Sequence, residues 1–274
     1  MDRLSTPTDS RMSDPAGAGT GAQDIICFLG CAFTNVPSPE LVAIGLVTLH
    51  GQEQHYVELD ITTPTARQLI ERASQFERDH LIAQCGLPEF KRCCGDLGLL
   101  TRDWLIALAP ENSRFLVAFD HPTRYRLFEE AISHTGIDRR AVSVVPLNMR
   151  TIALSREGEE TAGRCYRTLV GRGIRRHHAM ADALALRAAY VNVVETSVRL
   201  TGVLHSPEFR RLVTLLESLI DTESNYDLEG WARLWLTDEP YSLGGERPLD
   251  LIHAPGGLER LERALQMMCW GAYA

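Results

Sequence analysis

From Asp24 to Gly30 the chain reads Asp-Ile-Ile-Cys-Phe-Leu-Gly, a short apolar run of the kind that fills a buried strand. Glu40 to Leu49 (ELVAIGLVTL) is rich in β-branched and apolar residues, Gln54 to Asp60 (QHYVELD) alternates, and Gly51 punctuates them, so the pair reads as a hairpin. Three adjacent strands thus open the domain. Thr63-Pro64 supplies an N-cap and an N1 proline, and Ala66, Leu69, Ile70, Ala73, Phe76 and Leu81 recur at helical spacing, which predicts one helix packed on the sheet. Phe115 to Phe119 and Ala141 to Val145 read as later strands separated by a helix from about Pro122 to Ser133. Alternating strands and helices predict an α/β sandwich, closed by a long helix from Ala179 to Val198.

After Leu200 the pattern changes. Thr201 to Pro207 carries turn chemistry and ends in a Ser-Pro helix start, and no convincing strand follows. Phe209, Leu212, Val213, Leu216, Leu219 and Ile220 form one helical stripe, Leu228, Trp231, Leu234 and Trp235 a second, and Leu258, Leu261, Leu265 and Met268 a third. The expected organisation is therefore a flexible tail over 1–22, an α/β domain over 23–200 and a small all-α bundle over 201–274. So small a bundle is expected to lean on a partner or on its own copy.

Composition narrows the classes. The 274 residues are 45% hydrophobic and 23% charged, the range of a globular chain. The longest apolar stretch, Ala179 to Val194, is interrupted by Asp182 and Arg187, so no membrane span is expected. The first 22 residues lack the apolar block of a secretory signal. Seven cysteines without Cys-x-x-Cys spacing fit neither a disulfide framework nor a zinc ribbon, which points to the reducing cytoplasm. Cys27, Cys31, Cys93 and Cys94 read as small buried hydrophobes. The net charge of -8 is uneven: residues 207–274 hold 12 acidic and 6 basic side chains, which disfavours phosphate binding there and suits a basic protein partner.

Two segments of the α/β region carry a family likeness. FLGCAFTNVPSPELVAIGLV resembles the first motif of the DEDDh 3′-to-5′ exonucleases, and GIRRHHAMADALALR resembles their His-x4-Asp third motif. The resemblance implies a ribonuclease H-like fold with a mixed sheet, in which His177 stands at the general-base position and Asp182 at a metal-ligand position. Such enzymes hold two divalent metals with paired carboxylates. The first-motif carboxylate positions are here Gly30 and Ala32, neither of which can ligate Mg²⁺. The second-motif position falls on Arg124, by matching Arg124-Tyr125-Arg126-Leu127-Phe128, or on Asp120 four residues earlier. The resemblance therefore implies a degenerate exonuclease, with no metal or other cofactor expected; Mg²⁺ or Mn²⁺ belongs only to the alternative of a working exonuclease. A plainer reading makes His178 and Asp182 an exposed helix pair four residues apart. Arg164, Arg167, Arg172, Arg175 and Arg176 cluster before the His pair, and Arg172, Arg175 and Arg176 are candidates for weak phosphate contacts to a single strand.

The last segment resembles the toxin-binding domain of the Xre/MbcA/ParS antitoxins over about 68 residues. Its matches are Ala232, Trp235-Leu236, Leu243-Gly244-Gly245, Pro248-Leu249-Asp250-Leu251, Gly257 and Trp270-Gly271-Ala272-Tyr273-Ala274. The resemblance implies an antitoxin-like protein that binds and neutralises a RES-domain toxin, an NAD-consuming partner. Candidate contact residues are Trp235, Leu236, Leu243, Gly244, Gly245, Pro248, Leu249, Trp270 and Tyr273, and a homo-oligomer is expected. Apart from the family, the paired glycines and Pro248 predict a rigid knuckle, and the aromatic residues either pack the core or anchor an interface.

Overall fold

The computed structural model describes residues 24–34, 38–86, 92–109, 113–133, 143–220 and 227–269. Its chain sorts into two compact units, one comprising Met1–Asn148 with Arg176–Ala183 and the other Met149–Arg175 with Leu184–Ala274.

The first unit is built on a six-stranded mixed sheet in the order β4-β3-β2-β1-β5-β6. Strands β1 (Asp24–Thr34), β2 (Glu40–Thr48) and β3 (Gln54–Glu58) form an antiparallel meander that contains the expected β2–β3 hairpin, with Gly51 at φ 76° in its turn and β1 running four residues past Gly30. Strands β5 (Arg114–Phe119) and β6 (Ser143–Asn148) add in parallel on the other side of β1, while the short β4 (Arg92–Cys94) pairs in parallel with β3. Between these strands lie α3 (Leu97–Leu108), which the apolar pattern did not reveal, and α4 (Pro122–Ser133), which it predicted over about the same span. Odd-numbered residues of β1, Cys27, Leu29 and Cys31, join Phe115 and Val117 of β5 and Phe128 of α4 in the core on one face of the sheet. That is the period of two expected of a pleated strand.

The helix predicted across 64–81 is two helices, α1 (Pro64–Arg72) and α2 (Gln75–His80). Thr63 caps the first as expected. Ser74 interrupts the run because its side chain accepts from the Glu77 N–H while the Glu77 carboxylate accepts from the Ser74 N–H, a capping box that starts a new helix.

The second unit holds α5 (Arg150–Ala153), α6 (Arg156–Val170) and the later part of α7 (Ala179–Leu204), followed by α8 (Pro207–Leu219), α9 (Leu228–Thr237), α10 (Pro248–Leu251) and α11 (Gly257–Cys269). Among the described residues it contains no strand. The boundary expected at residue 200 falls inside α7, which continues through Gly202 because Val203 is buried, with Leu200 and Leu204 packed beside it, in the core of the tail helices. Ser206 then caps α8 through the Phe209 N–H. Phe209, Leu212, Leu216, Leu236, Leu261 and Leu265 are the centre of that core, as the first and third stripes predicted; of the second stripe Trp235 is buried, while Trp231 and Leu234 face solvent and Leu236, outside the stripe, takes the central place.

Candidate functional sites

Gly30 on β1 lies directly opposite Gly45 on β2, and the first turn of α7 crosses both without a side chain between. A Cβ at Gly30 would stand 2.0 Å from the Ala179 carbonyl oxygen, and one at Gly45 2.6 Å from Met180 N. The first-motif position is thus filled by helix backbone. Ala32 is also buried, 5% exposed and opposite Ala43.

Asp120, Arg124 and Asp182, far apart in sequence, meet in the first unit. Arg124 Nη2 donates to Asp182 Oδ2 at 2.6 Å and Arg124 Nη1 lies 3.0 Å from Asp120 Oδ1. The Asp182 side chain is 2% exposed, so a guanidinium with two carboxylates around it supplies the positive charge that its burial requires. Both readings of the second motif therefore reach one cluster, in which Arg124 is the cation and Asp120 its second anion. The His177 N–H donates to the other Asp182 oxygen at 3.2 Å. His177 itself is exposed and holds φ 71°, a left-handed conformation that costs free energy in a residue with a Cβ.

A metal of the exonuclease kind does not fit these residues. No carboxylate stands at Gly30 or Ala32, the space over Gly30 is occupied by the Ala179 backbone, and Asp120 and Asp182 are both turned to the Arg124 guanidinium. Neighbouring Cys31, whose thiol donates to the Arg124 carbonyl at 3.5 Å, is pushed up to about 12 by burial, the Asp182 and Asp120 charges adding to the rise and Arg124 opposing it.

His178 and Asp182 are both buried rather than an exposed helix pair. The His178 ring stacks on Tyr56 with centroids 4.7 Å apart, the Tyr56 hydroxyl donates to Glu58 Oε2 at 2.7 Å, and the Gly86 N–H donates to both Glu58 oxygens. Sequence reasoning missed this buried chain. The alternation of QHYVELD held the signal: Tyr56 and Glu58 share one face of β3, and a carboxylate on a buried face needs donors.

In the second unit most candidate contact residues are core. Trp235, Leu236, Leu243 and Leu249 are between 0% and 5% exposed, and Pro248 is buried as the first residue of α10. Side chains so enclosed shape the unit, and Trp235 also lines the cleft beside α9. Gly244 and Gly245, at φ 68° and 82°, make the turn before α10 that the knuckle required. Asp250 is pushed up by partial burial, but bonds from Arg247 and Arg199 outweigh that and hold its carboxyl below the usual range. Trp270 and Tyr273 lie outside the described residues.

Solvent-facing apolar surface lies instead on α9, where Trp231 is 39% and Leu234 73% exposed. Trp231 stacks on Trp235 at 6.0 Å, and both border a cleft of about 1020 Å³ between α6, α7 and α9. Arg156 stands at this cleft, bonded to Glu160 of α6 at 3.0 Å and to Asp238 just after α9 at 3.4 Å. Of the other candidates, Arg172, Arg175 and Arg176 are exposed on the turn after α6, and the Arg176 carbonyl accepts from Gln84 Nε2 at 3.0 Å. No helix among the described residues is long and apolar enough to cross a membrane. No family model matches the chain, and no curated protein sequence matches it.

Proposed function

We propose that the protein is an antitoxin-like binder of a RES-type, NAD-consuming toxin, carrying a ribonuclease H-like domain whose exonuclease site has degenerated. The observation that carries the reading is the tail: every described position of the antitoxin-like motif lies in one continuous helical unit, which keeps Trp231 and Leu234 in solvent beside a cleft. Exposed aromatic and aliphatic side chains at a concave surface are what a protein partner buries as anchors. The mixed sheet is compatible with the ribonuclease H-like half of the reading, and the packing of Ala179 on Gly30 with the Asp120–Arg124–Asp182 cluster supports its loss of metal chemistry. A reducing cytoplasm suits both partners.

The test is co-expression of the full chain with RES-domain toxins, starting with one encoded by an adjacent reading frame if the locus has one, scored by growth and by cellular NAD⁺. Wild-type protein is expected to co-purify with the toxin and preserve NAD⁺, and Trp231→Ala with Leu234→Asp to lose both while keeping a native circular dichroism spectrum. A folded wild-type chain that neither co-purifies nor restores growth overturns the proposal. For the degenerate site the expected result is no Mg²⁺- or Mn²⁺-dependent trimming of labelled single strands; trimming abolished by Asp182→Ala would instead establish the exonuclease alternative.

A further inference from the structure

The cleft beside α9 contains a donor to which the fold gives no acceptor. Trp235 lines the cleft and is 5% exposed, and its indole Nε1–H meets no acceptor among the described residues. Buried polar groups nearly always find a partner, so this one calls for an explanation. The nitrogen is covered by protein, and the ring stacked on Trp235, 6.0 Å away with planes at 13°, is that of Trp231. Trp231 is 39% exposed and therefore held by less packing than Trp235. Leu200, Leu234, Pro240 and Met268 add apolar lining.

The charges of the same cleft are unbalanced at one place. Glu160 and Asp238 both pair with Arg156, at 3.0 and 3.4 Å, and the charge of Glu239 bears on the same guanidinium, so three carboxylates share one cation. The two other arginines of the lining do not make up the difference: Arg247 is taken by Glu157 and Asp250, and Arg164 donates to Thr161 Oγ1. A partner with a cationic side chain gains here, and one with an anionic side chain loses.

Backbone chemistry narrows the partner's conformation. A helix laid in the cleft has its carbonyls bonded within itself and offers none to Trp235. A strand needs a sheet edge to join, and this unit contains no strand among the described residues. A polyproline II segment makes no internal hydrogen bonds, so its carbonyls are free to accept from an indole N–H. Its proline rings suit the flat face of a half-exposed tryptophan, and its conformation is set before binding, which lowers the entropic cost.

We propose that the cleft binds a proline-rich segment of a partner protein in the polyproline II conformation. Trp231 shifts to let a peptide carbonyl accept from Trp235 Nε1–H, prolines pack on Trp231 and Leu234, and an adjacent arginine or lysine enters among Glu160, Asp238 and Glu239. The proposal deepens the toxin-binding reading: it rests on that reading for the cleft being an interface, and names the kind of segment that fills it.

The probe is a fluorescein-labelled peptide of about eight prolines, roughly 25 Å in this geometry, ending in one arginine, titrated with the purified full chain and read by anisotropy. Saturable binding is expected, weaker at high salt and weaker again when glutamate replaces the peptide's arginine. An alanine-rich helical peptide of about 15 residues with the same single arginine should not bind. Trp231→Ala should weaken binding about 30-fold or more, as for a truncated aromatic anchor. Trp235→Phe, which keeps a buried ring and removes the N–H, should weaken it roughly 2- to 10-fold, the worth of one neutral hydrogen bond. Glu239→Gln should weaken it by up to about 5-fold, the range of an exposed ion pair. Circular dichroism shows which variants fold; Trp231 is half-exposed, so its truncation decides the matter even where Trp235→Phe does not fold. The proposal is overturned if the wild-type chain does not bind the proline peptide, if Trp231→Ala binds it as tightly, or if the helical or glutamate-ended peptide binds equally well. Toxin that co-purifies with a chain unable to bind the peptide removes this proposal and leaves the antitoxin reading intact. Peptide binding by a chain that neutralises no toxin removes the antitoxin reading alone.

Discussion

Substituting Gly30 by alanine adds one methyl group at the point where the first turn of α7 rests on the sheet. Its Cβ would stand 2.0 Å from the Ala179 carbonyl oxygen, so strand or helix must retreat by at least 1.0 Å to reach the 3.0 Å below which such contacts are essentially never found. The obstacle is backbone on both sides, and no rotamer can relieve it. Lifting the turn opens a gap beneath Ala179, Met180 and Ala183, all at most 1% exposed, and a gap near 1 Å forfeits roughly a quarter to a half of each dispersion contact. The cost should lie at or above the upper end of the overpacking range, about 3 kcal/mol. That corresponds to a fall in melting temperature of roughly 6 to 12 °C for a unit of this size. Thermal unfolding by circular dichroism, with hydrogen exchange of peptides from β1 and β2, measures it. Gly45→Ala meets the same turn, so the double variant should cost less than the sum of the two, because a helix already lifted admits the second methyl cheaply. Gly202→Ala in the same α7 is the control: nothing lies within 4 Å of its Cβ, and it should stabilise by about 0.5 to 1 kcal/mol through helix propensity. A Gly30→Ala protein as stable as wild type, or full additivity with Gly45→Ala, would refute the claim that the two glycines exist to seat this helix. The same geometry predicts that Gly30→Asp cannot be seated without displacing α7.

Three further outcomes are expected. Arg124→Ala should destabilise by about 3 kcal/mol in urea unfolding, because it leaves the buried Asp182 carboxylate without its guanidinium, and Arg124→Lys should recover only part, having no fork to span Asp120 and Asp182. His55, held down to about 4 by burial, is neutral in the folded chain while its unfolded form takes up a proton below about 6.5. The unfolded state thus binds more protons between these values, and stability should fall by up to about 3 kcal/mol as pH drops through that window. His55→Gln, which keeps an amide near Thr101 Oγ1, should flatten that part of the urea-midpoint profile. Cys27 and Cys31, both pushed up to about 12 by burial, should resist iodoacetamide at pH 8 until the chain is unfolded, whereas exposed Cys269 should react first, as peptide mass spectrometry would show.

Strands β1, β2, β3 and β5, helix α4 and the stripes of α8 and α11 were legible because each depends on a local rule: alternation on a pleat, apolar residues at helical spacing, and caps at Thr63 and Ser206; the α9 stripe was misread, since Trp231 and Leu234 face solvent. The split of α1 from α2 was also written locally, in Ser74 and Glu77, but an uninterrupted apolar period through Ala73 and Phe76 masked it. Helix α3 was missed although Asp96 caps it through the Leu99 N–H, since its apolar residues lie all round rather than in a stripe. That Gly30 and Ala32 carry no ligating side chain is plain from the sequence. What packs against them is not. The contact of Gly30 with Ala179, the bond of Arg124 to Asp182 across 58 residues, and the meeting of Phe76 with His177 join segments whose separation in sequence carries no trace of their distance in space. A local pattern states which side of an element is buried. Which neighbour buries it, and whether that neighbour is a helix backbone, a guanidinium or another ring, follows only once sheet order and helix crossing are set, because those depend on packing the whole unit at once.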